Sequence, residues 1–559
     1  VITPIESAWS LVRCGCSTSE DFYASASDFV DLEKAYKQTF DVLSKGGVDF
    51  DYLDEEHLVR LSKIVCKDGK VSLEVGKMSY KTIIVSDCVV LRKETYDMLA
   101  GFASDGGKVV FVKDVLKFVD FKLVKNNLCD KFIIVENRTK LAEEIKKYGD
   151  NYYEIDDGLY FSERKTEDGC YLFVFNPDRD RVAENKKILF KGKGKVWVID
   201  VETDEKIPLP SEFHDGFTCV KLSFFKGESK LLRFEKTESF QIAIRSENDE
   251  GERIYLPEEM EYSLSSENNM VLDYARYTVD GVEFDETYVL SIDDKVRDRF
   301  CLERRDEMAV QPWYKEKFVK NYGKKLCKLS LDFFFDVNVF PRKLFLCIEN
   351  SKDWQIRLNG HRIFKKKTGS WVDGCFDKIK LPVNRLINGK NTISISCEFG
   401  EDVEIEAIYL CGDFGVSSDG RTIIALPDKL KIGDLCQQGL PFYGDKIYYH
   451  TGIKNKTVSV RFANANGVTQ SIVFDGREKQ LPFAPYDSGK VSIKNELSLC
   501  VSLSRHNTFG QIHNKNDIIE WNGPLSFCDL KDGKFSKEFL FKKQGLLLSP
   551  EIKCYNDCE

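Results

Sequence analysis

From about residue 152 onward the helical period disappears, and the chain becomes a succession of short alternating runs broken by Gly, Asp, Asn and Pro. That change commits most of the molecule to antiparallel sheet, because strands this short and closely spaced are joined by tight turns rather than by helical crossovers. The clearest unit is "WQIRLNGHRIF" (354–364), in which Asn359-Gly360 suits a type I′ turn needing positive φ at both central residues. "LINGKNTISI" (386–395) does something similar, and the stretch from "WQIRLNGHRIF" through "NTISISCEF" has a weak echo in "QSIVFDGREKQLPFAPYDSGKVSIKNELSLCVSLS" (470–504). Ahead of the change, residues 1–150 alternate helical and strand patterns. "DLEKAYKQTFDVLSKGG" (31–47) places Leu32, Ala35, Tyr36, Phe40 and Leu43 at helical spacing and stops at Gly-Gly, while "KTIIVSD" (81–87) is a continuous apolar strand of the kind buried on both faces.

A chain of 559 residues exceeds what one hydrophobic core organises. The expected fold class is therefore multidomain α/β plus all-β. A parallel-sheet α/β domain is expected over 1–150 and a small β-sandwich domain over 151–236. A sandwich with an N-terminal strand extension is expected over 237–416, and a second sandwich over 417–559, both of jelly-roll type.

Composition removes several function classes. With 42% apolar and 31% charged residues the chain reads as globular, and a net charge of −9 with dispersed lysines gives no basic stripe for nucleic acid. No run approaches the roughly 18 apolar residues of a membrane span. The 18 cysteines are scattered, Cys14 and Cys16 being the closest pair, which is the pattern of buried thiols in a reducing cytoplasm. The absence of GxGxxG and GxxxxGK[ST] leaves no nucleotide loop, and no cofactor is expected. The first residue is Val1, without a signal-peptide pattern, and a fragment or processed product of something longer is expected.

Two constellations are candidate sites. Asp49, Asp51, Asp54, Glu55 and Glu56 crowd a strand end and helix start, the edge of a parallel sheet where ligands usually lie. Of these, Asp51, Asp54 and Glu55 are candidates for the rim of an active site, although acidic residues also suit a helix's first turn. Trp354, Trp371 and Asp373 flank the hairpin and pair aromatic faces with a carboxylate, as sugar sites do; the competing reading makes the tryptophans core and the aspartate a turn residue. The six histidines lie far apart without HExxH spacing, so no metal site is expected, and "GDFGV" (412–416) reads as the close of a sandwich. No catalytic residue is assigned.

Eight phrases carry a family resemblance: "VITPIESAW" (1–9), "FDYLDEEHL" (50–58), "FASDGGKVVFV" (102–112), "GCYLFVFNP" (169–177), "IRLNG" (356–360), "INGKNTISI" (387–395), "IYLCGDFGV" (408–416) and "GLPFYGDKIYY" (439–449). In this order the chain resembles the post-barrel region of large bacterial α-L-rhamnosidase-like enzymes of glycoside hydrolase family 106, and their relatives with family 2-type, galactose-binding-like domains. The resemblance implies that a catalytic (β/α)₈ barrel bearing two carboxylates precedes the matched region. Residues 1–150 offer only about four of the eight units such a barrel needs. They look instead like the flavodoxin-like domain that follows the barrel in several β-galactosidases and rhamnosidases. The implied role is ancillary, with carbohydrate and the catalytic barrel of the same protein as partners. The alternative is a non-catalytic carbohydrate-binding protein.

Overall fold

The computed structural model describes residues 1–11, 27–113, 116–124, 130–149, 153–156, 158–201, 203–237, 251–305, 312–320, 322–463, 467–515 and 535–555. The chain divides into two compact units, Val1–Asn248 and Asp249–Glu559. Most of its regular structure is strand, in many antiparallel sheets. Among the described residues no helix is long and apolar enough to cross a membrane.

In the first unit, strands Thr82–Ser86, Lys108–Val112 and Ile133–Val135 form a parallel sheet, which Ile2 extends through single parallel bridges to Val85 and Leu53. Alternation along these strands serves two cores. Ile83, Val85, Val109 and Phe111 face Leu58 of helix Glu55–Leu61 and Leu99 and Phe102 of helix Lys93–Ser104. Ile84, Val110 and Val112 face Leu43 of helix Ser27–Lys45 and Leu141 and Ile145 of helix Leu141–Lys146. Helices thus cover both faces, which is why the strands are apolar without interruption. The long helix stops at Gly46-Gly47: Gly47 has φ +70°, and a Cβ on Gly46 would lie 2.2 Å from the Ala142 methyl group. Where a short strand is expected to open "VDFDYLDEEHL" (48–58), the backbone makes only the single bridge at Leu53. An unexpected meander, Ser62–Lys67, Lys70–Val75 and Met78–Tyr80, follows the next helix.

Residues 153–236 fold as two antiparallel sheets. One runs Tyr153–Ile155, Ala183–Lys191, Phe217–Phe224, Glu212–His214; the other runs Tyr160–Thr166, Gly169–Phe175, Ser229–Lys236, Gly194–Ile199, Lys206–Pro208. Leu172, Val174, Leu232 and Phe234 of one sheet meet Ile188, Phe190, Val220 and Phe224 of the other, with Phe190 stacked on Phe234 at 4.8 Å.

The second unit holds two further β-sandwiches. In the first, a five-stranded sheet (Asn268–Leu272, Ile408–Gly412, Leu344–Glu349, Asp373–Lys380, Lys367–Trp371) packs on an eight-stranded one. The latter is built around the long strands Lys325–Val337 and Gly389–Gly400, with Tyr274–Val279 and Val282–Tyr288 on one side and Gln355–Leu358 and His361–Arg362 on the other. Leu329, Leu331, Phe333, Phe335, Ile393, Ile395, Ile356 and Leu358 supply its inner face. In the second sandwich, Glu259–Leu264 pairs with Lys446–His450 and Glu252–Ile254 pairs with Glu551–Tyr555, so segments near both ends of the unit share its sheets. The hairpin of "WQIRLNGHRIF" forms as its turn chemistry requires, with φ +49° at Asn359 and +78° at Gly360. The Asn359 side chain also accepts from Thr392 N at 2.9 Å and donates to Asn391 Oδ1 at 2.8 Å, which ties the turn to the neighbouring long strand.

Candidate functional site

The acidic cluster is not one constellation. Asp49 and Asp51 precede the bridged residue Leu53, and Asp54 and Glu55 follow it, so the strand-like segment separates them. Asp49 accepts from Glu163 N at 2.9 Å, and Asp51 accepts from the Tyr80 hydroxyl at 2.7 Å. Asp54 caps the helix Glu55–Leu61: its carboxylate accepts from His57 N at 2.9 Å, and that N–H holds the Asp54 carboxyl below its usual range. Glu55 turns inward and is 1% exposed. It accepts from Arg92 N at 2.8 Å and adjoins Glu6, whose own partner is Arg92 Nε at 2.7 Å. This buried carboxyl pair is what the sequence reading missed, because Glu6 reaches Glu55 only through the fold.

Burial, reinforced by the Glu6 carboxyl, raises the Glu55 pKa from 4.5 to about 7. Between those values the folded protein holds a proton that the unfolded chain has released. The stabilising contribution is therefore fully present below pH 4.5 and is lost as pH rises through 7. Across that window the wild type should lose about 3 kcal/mol of stability relative to Glu55→Gln, which stays neutral. Denaturant melts of both proteins at several pH values check this; parallel curves would contradict it.

Of the sugar-site candidates, Trp371 is 8% exposed, with its ring 5.0 Å from Tyr409, 5.5 Å from Phe509 and 5.6 Å from Phe376. Its faces are occupied by other rings, and it is a core residue rather than a sugar platform. Asp373 accepts from Cys375 N at 3.0 Å at the start of strand Asp373–Lys380, and this bond holds its carboxyl below the usual range. Trp354 is 4% exposed and belongs to the same core, but it borders a groove on the outward face of the eight-stranded sheet.

That groove encloses about 780 Å³. Its floor follows from strand register. Because inward and outward residues alternate, Thr278, Ser330, Ser396 and Gln355 all point away from the core, and each stands directly opposite the next across four adjacent strands. Three interstrand steps of about 4.8 Å make the row roughly 14 Å long. Among the described residues none of these four side chains is engaged in a hydrogen bond, so three hydroxyls and one amide stand free in a row. The rim is charged: Lys328 lies opposite Glu398, Lys325 is paired with Asp402 at 2.8 Å, and Lys365 donates to Ser351 O at 2.8 Å. Hydroxyls and amides both donate and accept, and they match the hydroxyl rows of a neutral glycan without the desolvation cost of a bare charge. The outward Ser and Thr of "KLSLDF" and "NTISISCEF" signal the polar face, whereas their juxtaposition depends on pairing that sequence does not specify.

Elsewhere, Asp413 of "GDFGV" accepts from Lys343 N at 2.8 Å, a sandwich-closing contact. His513 is buried with Nε2 2.9 Å from Asp273 Oδ2. Among the described residues no three of His, Cys, Asp and Glu come together as a metal site, and no cysteine is in a disulfide. Cys14 and Cys16 lie outside the described residues.

No protein-family model matches the chain, and no curated protein matches it. It is similar to solved structures of glycoside hydrolases. A rhamnosidase from Novosphingobium sp. PP1Y is 14% identical with a TM-score of 0.28, over 64% of this chain and 36% of that one. A beta-galactosidase from Bacillus circulans sp. alkalophilus is 13% identical with a TM-score of 0.27, over 42% and 40%. Alpha-L-fucosidase isoenzyme 2 from Paenibacillus thiaminolyticus is 9% identical with a TM-score of 0.24, over 37% and 45%. At such scores the likeness is distant. The chain spans less than half the length of each.

Proposed function

We propose that this chain is the ancillary, sugar-holding part of a carbohydrate-active protein, and that a short neutral glycan lies along the row Thr278–Ser330–Ser396–Gln355. The observation that carries the reading is the row itself: four free, neutral polar side chains in register at the floor of a groove of about 780 Å³. The eight-phrase resemblance supports an α-L-rhamnosidase-like, bacterial family 106 setting with a catalytic barrel elsewhere in the same protein, and the scattered cysteines support a cytoplasmic one. In that setting the parallel-sheet domain is flavodoxin-like, the sandwiches are jelly rolls, and Asp51, Asp54 and Glu55 belong to the scaffold facing that barrel. A non-catalytic carbohydrate-binding protein would use the same groove.

Calorimetric titration of the full chain with rhamnose-, galactose- and fucose-containing di- and trisaccharides tests the reading. Saturable binding with a Kd on the order of 1 mM is expected for at least one, since an open groove offers hydrogen bonds but little enclosed apolar surface. Absence of binding to all of them would contradict it.

A further inference from the structure

The carboxyl ends of the three parallel strands deliver charge to one place. Asp87 follows Thr82–Ser86, Lys113 follows Lys108–Val112, and Arg138 follows Ile133–Val135 by three residues. All three line a cleft of about 520 Å³, together with Lys117 and, from helix Ser27–Lys45, Lys34 and Gln38. Arg138 is 8% exposed; its guanidinium donates to both carboxylate oxygens of Asp87 and to Gln38 Oε1 at 2.7 Å. Its buried Nε has no hydrogen-bond partner among the described residues. Asp87 offsets the charge of Arg138, which leaves Lys34, Lys113 and Lys117 facing Asp31 alone across the cleft. None of the three lysines is ion-paired among the described residues. In a chain of net charge −9, three unpaired cations and a buried guanidinium with an unused donor are a local reversal of sign.

We propose that this cleft binds a small phosphorylated ligand. Its phosphoryl oxygens take the ammonium groups of Lys34, Lys113 and Lys117 beside the buried Arg138 guanidinium, while Leu32 and Ala35 form an apolar wall for the neutral part of the ligand. Three diverging donors suit the three oxygens of a phosphoryl group better than the two coplanar oxygens of a carboxylate. The pairing of Arg138 with Asp87 fixes the guanidinium before the ligand arrives, which limits the ordering cost of binding. The volume lies within the range of small-molecule sites, and the carboxyl edge of a parallel sheet is where such sites form. This site is separate from the sandwich groove and does not rest on it.

Titrating the full chain with glucose 6-phosphate, inorganic phosphate and glucose, in about 0.15 M chloride to screen loose attraction, tests the proposal. Saturable binding of at least one phosphate-bearing probe and none of glucose is expected. The double variant Lys113→Asn, Lys117→Gln keeps a residue tolerant of the positive φ at position 113 and should weaken that binding by about tenfold or more with an unchanged melting temperature of the free protein. Lys390→Gln, in the other unit, should change nothing. Failure of both phosphate-bearing probes to bind, or binding that the double variant retains, would overturn the proposal.

Discussion

Replacing Trp371 by alanine is expected to lower the unfolding free energy by about 3–5 kcal/mol, because a fully packed indole leaves a cavity that its neighbours cannot fill. The ring lies within 5.0–5.6 Å of Tyr409, Phe509 and Phe376, which also contact one another: Phe376 and Phe509 are stacked at 5.7 Å, and Tyr409 meets Phe509 at 5.3 Å. Removing the central member therefore loosens a cluster rather than one contact. Guanidinium unfolding followed by Tyr and Trp fluorescence checks it. A loss below about 1 kcal/mol, the range of exposed positions, would show that the indole is not packed in solution.

The second large effect is expected at Asp293. This carboxylate is 1% exposed and accepts from Arg297 Nε at 2.8 Å and Arg305 Nε at 3.0 Å, and its other oxygen takes Ile405 N at 3.3 Å. Arg297 is equally buried and donates from Nη2 to Val403 O at 3.0 Å, and Arg305 reaches Ile405 O at 3.0 Å and Glu406. The network fastens helix Val289–Arg299 and the segment after it to the loop that follows strand Gly389–Gly400. Asp293→Asn removes the charge but keeps the shape, and leaves Arg297 buried without its counterion. A loss of about 3–5 kcal/mol is expected. Adding Arg297→Met to the variant should recover part of it, since a buried pair lost as a pair costs less than a buried charge left alone. If the double variant is less stable than the single, the charges are not the source of the effect.

Local features of this fold are legible in the sequence wherever one residue's neighbours decide its conformation. The Gly-Gly stop of helix Ser27–Lys45 and the positive φ values of Asn359 and Gly360 follow from backbone sterics alone. Apolar continuity in "TIIVS" marks a strand covered on both faces, because burial on two faces leaves no alternation. Long-range partners are a different matter. Nothing in "EMEYSL" (259–264) selects "KIYYH" (446–450) as its neighbour, since many alternating strands in the chain would satisfy the same pattern. The carboxyl pair Glu6–Glu55 and the row Thr278–Ser330–Ser396–Gln355 are hidden for the same reason. Trp371 shows the limit in reverse: a tryptophan beside a turn reads equally as a sugar platform or as core, and only the rings packed on it decide.

The groove is tested most directly by closing its floor. Ser396→Tyr places a ring on the outward face, midway along the row, where Ser396 is only half-buried and the core is not touched. Sugar titration and thermal melting of this variant beside the wild type give the decisive comparison. The expected result is loss of glycan binding by about tenfold or more with a melting temperature close to that of the wild type. Glycan binding undiminished in Ser396→Tyr, at the same stability, would contradict the assignment of the groove.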